Sequence, residues 1–167
     1  MSGGGAQLYE EDFVRWTEQQ SSALREAAGV GINLPLDWEN LAEEIESLGA
    51  SQRRELRSRI AVIIEHLLKL EHSPAIDPRG GWTDTIGRER LNIEDLLQQS
   101  PSLRSRLGAI IEQLKPRVAR LVTISLFGHG ETVKMVPVPD YTEEQVLGDW
   151  FPGDAPLPAG GEREEPA

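Results

Sequence analysis

The side chains able to do chemistry are few in this chain. His66, His72 and His129 are its three histidines, and cysteine is absent. A carboxylate-bridged dimetal bundle carries a glutamate three residues before each ligating histidine; here those positions hold Ile63, Lys69 and Leu126. Two histidines four apart around a glutamate, the zinc-protease pattern, do not occur. His66 and His72 are six residues apart, which is about 240° around a helix, so they share no face. The sharpest chemical candidate is His66, meeting a glutamate from another helix such as Glu44, to bind a metal or act as a base. A lone histidine beside an apolar stripe, here near Ile63 and Leu70, is more often a packed, hydrogen-bonded boundary residue.

Nucleophilic catalysis has no signature either. The glycine-flanked serine of a hydrolase elbow is missing. So are the phosphate loop and the dinucleotide fingerprint, and the glycines fall in termini and turns. Without cysteine there is no thiolate zinc site and no thiol nucleophile. Glu43, Glu44 and Glu46 are numerous enough for acid–base work, yet Glu39 and Glu43 point away from the Trp38–Leu41–Ile45 face, where carboxylates are solvated. Arg53, Arg54, Arg57 and Arg59 could contact phosphates, but Glu43, Glu46 and Glu55 surround them and no recognition motif accompanies them. Trp16, Trp38 and Trp82 lie on or next to apolar stripes and are expected as core aromatics rather than a ligand cage. Trp150-Phe151 either pins the C-terminus to the bundle or joins a contact surface. These residues support no catalytic, cofactor or metal assignment, and the reading leans against an enzyme.

The elements that must position these groups are helical. At 167 residues the length suits one domain, which buries roughly two thirds of the surface its unfolded chain exposes. Apolar residues recur at helical spacing and strand-like alternation is nearly absent. A first helix is predicted over Glu10–Ala28, stopped by Gly29 and Gly31. A second begins at Asp37, an N-cap, and ends at Gly49, which occupies the place of a left-handed C-terminal residue. Ser51 then caps a third helix running to about Glu71 before Pro74, with Leu56, Ile60, Ile63, Leu67 and Leu70 inward. The link Ala50-Ser51 makes the second and third helices an antiparallel hairpin. That places Glu43 and Glu46 beside Arg53, Arg54 and Arg57, either as a surface salt-bridge cluster or as a charged docking face.

A fourth helix is predicted from Trp82 or Thr83 to Gln99. Ser100-Pro101 opens a fifth, with proline at the first helical position. Pro116 predicts a kink or break near Glu112–Lys115, and Gly128-His129-Gly130 ends the element. Val133–Pro139 is expected to be extended. Thr142-Glu143-Glu144-Gln145 resembles a capping box for a last helical turn or two. The fold class is therefore all-α, an up-and-down bundle of about five helices with a short C-terminal helical turn. Residues 1–7 are expected to be flexible, 8–151 to form the single bundle domain, and 152–167 to be a disordered acidic tail.

Charge supports that division. The formal net charge is −11. From Asp140 onward eight carboxylates face Arg163 alone, so most of the excess lies at one end. The acidic balance disfavours nucleic acid and anionic lipid as partners. No secretory leader pattern and no run of 18 apolar residues is visible, and the absence of cysteine fits a reducing cytoplasm.

The motifs also carry a family resemblance. Leu8-Tyr9-Glu10-Glu11-Asp12-Phe13 with Trp16 one turn on, Asp37-Trp38-Glu39-Asn40-Leu41-Ala42-Glu43-Glu44-Ile45-Glu46-Ser47-Leu48-Gly49, Arg53-Arg54-Glu55-Leu56, and Glu65-His66-Leu67-Leu68-Lys69 occur in order. Trp82, Ser100-Pro101-Ser102-Leu103 and Tyr141-Thr142-Glu143-Glu144-Gln145-Val146-Leu147 follow. Together they resemble a bacterial family known as domain of unknown function twenty-nine, over roughly residues 8–151. The resemblance implies an all-helical fold and supplies no activity and no site residues. Two departures stand out: Leu70 where the family often has an aromatic, and Pro116 where its helix usually runs uninterrupted. The expected role is a non-catalytic, cytoplasmic protein-interaction module, binding a protein partner or a second copy of itself. No cofactor, nucleic acid or membrane is expected. The interaction candidates are Glu43, Glu46, Arg53, Arg54 and Arg57. The alternative is a metal-binding or hydrolytic enzyme using bundle carboxylates and His66.

Overall fold

The computed structural model describes residues 3–132 and 134–153. Six α-helices run in the order α1 (Gly3–Glu11), α2 (Phe13–Val30), α3 (Trp38–His72), α4 (Arg79–Gln99), α5 (Leu107–Gly128) and α6 (Glu143–Leu147), with a 3-10 turn at Pro101–Arg106 before α5. The described residues contain no strand, as the all-α reading expects. None of their helices is long and apolar enough to cross a membrane. The sequence-based expectation of a disordered tail falls, from residue 154, outside the described residues.

The central correction is at Gly49. The predicted hairpin does not exist: α3 is one helix of 35 residues, about 50 Å long. Gly49 is a buried position in its middle. A Cβ there would overlap Thr17 Oγ1 and lie 3.3 Å from Thr17 Cβ. The glycine thus lets α2 and α3 approach closely and does not terminate a helix. Asp37 is the N-cap as read from sequence, accepting from the Asn40 amide at 3.3 Å.

The other elements are placed along this rod. Around the join at Gly31, whose φ is +73°, α2 turns back and packs antiparallel on the N-terminal half of α3. The pairs Thr17 to Gly49, Arg25 to Glu46 and Glu18 to Arg53 mark its register. α4 starts where α3 ends, with Arg79 Nη2 donating to the Leu70 carbonyl at 2.8 Å. It finishes level with Gln52, to whose Oε1 Ser100 Oγ donates at 2.7 Å. α5 then runs parallel to α3, and Arg57 Nη1 donates to Gln113 Oε1. The core is therefore built on the C-terminal half of α3, where Leu56, Ile60, Ile63, Ile64, Leu67 and Leu68 are fully buried against α4 and α5.

The N-terminal region also departs from the sequence reading. The flexible segment expected over 1–7 is helical from Gly3, and the single helix over Glu10–Ala28 divides at Asp12. Glycine disfavours helix, but Tyr9 sets its ring edge on Phe13 and on Trp16, at 5.7 and 4.9 Å between centroids, and this anchors α1. The division at Asp12 has an electrostatic cause. Its carboxylate accepts from the amide of Arg15, the first turn of α2, and from the amide and hydroxyl of Ser102, the first turn of the 3-10 segment. One buried anion caps two helical starts whose amides would otherwise be unsatisfied.

Pro116 does not break α5, which is helical from Leu107 to Gly128. The proline forfeits one backbone bond, while the stripe Leu107, Ile111, Leu114, Val118, Val122 and Leu126 is buried on both sides of it. The capping box at Thr142 and Gln145 forms as predicted.

The crossing at Gly49 yields a stability test. Gly49→Ala gains about 1 kcal/mol of helix propensity but introduces overlap that typically costs about 1–3 kcal/mol. A net loss of up to about 2 kcal/mol is expected by urea unfolding, with partial recovery when Thr17→Ala is added. A Gly49→Ala protein more stable than its parent would contradict the close approach.

Candidate functional site

The proposed chemical pair cannot assemble within one chain. Glu44 and His66 belong to the same helix, 22 residues and about 33 Å apart. His66 is half-buried, and its Nδ1 lies 2.8 Å from the Val62 carbonyl, in donor geometry. No group of three histidine, aspartate or glutamate side chains converges among the described residues. No buried side-chain nitrogen or oxygen among them lacks a hydrogen-bond partner. A cleft of about 480 Å³ beside α4 and α6 mixes Glu94, Glu143, Glu144 and Asp149 with Arg90 and Arg104.

Arg25 and Arg59 are shifted chiefly by their bonds to Glu46 and Glu55, whereas two other titratable groups are shifted chiefly by burial, and such groups can mark functional sites. Both instead fasten the segment that follows α5. Arg90 donates to the carbonyls of Val146, Gln145 and Trp150 and places its guanidinium 4.9 Å from the centre of the Phe151 ring. Burial lowers its pKa. Tyr141 donates to the Glu71 carboxylate; burial first, then that bond and the Glu71 charge, push its pKa upward. Trp150-Phe151 therefore pins the C-terminal segment to the bundle, the first of the two alternatives.

The charged candidates divide: Arg53, Arg54 and Arg57 line one cleft with Arg106 and Gln113, and Glu43 and Glu46 do not line it. Because α3 does not turn at Gly49, Glu43 and Glu46 never face Arg53, Arg54 and Arg57. Glu46 pairs with Arg25 at 2.6 Å and Arg53 with Glu18 at 3.1 Å, both across the α2–α3 contact. Arg54 donates to Ser51 and Arg57 to Gln113, while Glu43 is exposed. The tryptophans are also displaced from the core. Trp16, Trp38 and Trp82 are all half-buried; Trp82 packs on the core's edge and Trp16 stacks on Phe13.

The feature that sequence reasoning missed is an arm. Beyond Gln52 the rod outruns α4; Ala50 still shares a cleft with Ser105, Arg106, Ala109 and Ile110, and toward Trp38 the rod has α2 beside it. The two ion pairs close one flank of this two-helix arm. The opposite flank carries Trp38, Leu41, Ile45, Leu48 and Gln52 on α3, spaced alternately three and four, the repeat of a coiled-coil seam. By helical position, Phe13, Gln20, Leu24 and Ala27 of α2 lie on the same side. None of these nine side chains is charged. Leu41 is 39% exposed and Leu48 50%. At the tip Ile32, Leu34 and Leu36 are also exposed. Their presence in a connection, where polar residues are usual, was the available sequence signal.

Comparison with known proteins gives a family model described as "Domain of unknown function DUF29" that matches residues 8–151. No curated protein matches the chain. Among solved structures, the crystal structure of an alpha-helical protein of unknown function from Rhodospirillum rubrum is similar at 24% identity and a TM-score of 0.70. The match covers 84% of this chain and 89% of that one, and it supports the fold.

The Tyr141–Glu71 contact carries a pH prediction. A raised folded pKa means that the stability is intact below the unfolded tyrosine value near 10 and is lost as pH rises past it. Urea midpoints should fall between pH 9 and pH 11. Tyr141→Phe should start about 1–3 kcal/mol lower and show a smaller alkaline fall. An equal fall in both proteins would contradict the assignment.

Proposed function

The chain belongs to the DUF29 family, and we propose that it is a non-catalytic helical module that binds a protein through the uncharged flank of its α2–α3 arm. Neither the family description nor the similar structure's description names an activity. The observation that carries the reading is the unroofed seam Trp38–Leu41–Ile45–Leu48. The same helix is covered by α4 from Gln52 onward, so an apolar stripe suited to burial continues for about four turns without a cover. The charge-free flank has the composition of an interface centre, where charged residues are depleted. The ion-paired flank, with Glu46 and Arg53, then supplies rigidity to the arm and Glu43 a solvated rim. The reading also retains a bacterial cytoplasmic location, which the cysteine-free composition fits.

A photo-reactive side chain at Leu48, incorporated in cells of the source organism, should form an adduct of defined mass whose partner mass spectrometry identifies. The same group at Asp84, on the exposed side of α4, should not. Leu41→Glu with the reporter kept at Leu48 should abolish the adduct. Failure to capture any protein at Leu48 would overturn the reading.

A further inference from the structure

We propose that the occupant of the arm flank is a second copy of this chain, with two arms packed antiparallel about a two-fold axis into a four-helix bundle. This rests on the reading that the arm is a protein-binding surface and names the partner. Two observations favour self-pairing, and a third sets its strength.

The first is electrostatic. The chain carries a net charge of −11, so two copies repel wherever their charged faces meet. The arm flank, made of Trp38, Leu41, Ile45 and Leu48 with Leu24 and Ala27, is free of charge. Two copies can meet across these side chains, with Glu44 at the border of the contact.

The second is the pattern at the two ends of the flank. The tip exposes Ile32, Leu34 and Leu36, and the base carries Tyr9, 47% exposed, with Phe13 and Trp16 in one aromatic cluster. An antiparallel two-fold lays the aliphatic tip of each copy on the aromatic base of the other. A two-fold interface needs this self-complementarity, in which one patch meets another on the same surface. The alternating three-and-four seam supplies the knobs-into-holes packing between them.

The third is area. The arm extends 14 residues of α3 past α4, about 21 Å, and two helices at the usual 8–10 Å spacing are roughly 20 Å across. The projected flank is therefore roughly 400 Å² per copy, with more from its corrugation and from the tip-on-base contacts. That is about half of the ~800 Å² per partner of a specific complex. The area corresponds to a reversible dimer rather than an obligate one.

Sedimentation of the full-length protein should show a monomer–dimer equilibrium with a dissociation constant on the order of micromolar. Leu41→Glu/Leu48→Glu should weaken it at least 100-fold with an unchanged circular dichroism spectrum. The cysteine-free chain permits single spin labels in otherwise intact protein, so the geometry can be read even where the double variant misfolds. Labels at Glu44→Cys, near the axis, should lie within about 20 Å across the dimer, and labels at Asn33→Cys roughly 35 Å apart. Asn33 labels closer together than Glu44 labels would overturn the antiparallel arrangement. A protein monomeric at several hundred micromolar would overturn self-pairing. If photo-capture at Leu48 still yields a different protein, the arm remains a binding surface with another occupant; if it yields nothing, both readings fail.

Discussion

The close approach of α2 and α3 at Gly49 is the constraint from which the rest of the architecture follows. A residue with a side chain there would collide with Thr17, and a chain turn there would fold α3 on itself. Because α3 passes straight through, it becomes a rod longer than any other helix among the described residues. One end is enclosed by α4 and α5, and the other extends past α4 with α2 packed along it. The division into body and arm results from this difference in helix length. The body has a core of ordinary composition, whereas the arm has one buried line of contact and one open flank.

How much of this was legible depends on the range of the forces involved. The capping box at Thr142, the N-cap at Asp37 and the stripe of the C-terminal half of α3 are set within a turn or two of chain and are legible in it. Gly49 was misread because a glycine that ends a helix and one that admits a neighbouring helix are locally identical. Only the distant Thr17 distinguishes them. Asp12 failed for the same reason: its second set of partners is at Ser102, 90 residues away. Pro116 was weighed as a local defect, while the buried stripe on both sides of it holds α5 together.

The candidate site was less legible than the fold. Glu43, Glu46, Arg53, Arg54 and Arg57 were recognised as a charged set, but their grouping depended on a hairpin that does not form. The same error brought Glu44 toward His66. Trp16, Trp38 and Trp82 were placed in the core on periodicity, which gives a face but not what covers it. The arm flank was visible as a stripe; its exposure was not, since exposure is set by where α4 ends. The two groups whose ionisation is shifted chiefly by burial, Arg90 and Tyr141, hold the C-terminal segment in place.

The continuity of α3 is the claim on which the arm depends, and one distance tests it. Spin labels at Glu39→Cys and Glu71→Cys, in a doubly labelled protein diluted with excess unlabelled chain, report the separation within one molecule. A continuous helix places these positions about 48 Å apart, and a narrow distribution near that value is the predicted result. A separation below about 20 Å, as a hairpin at Gly49 requires, would contradict the account.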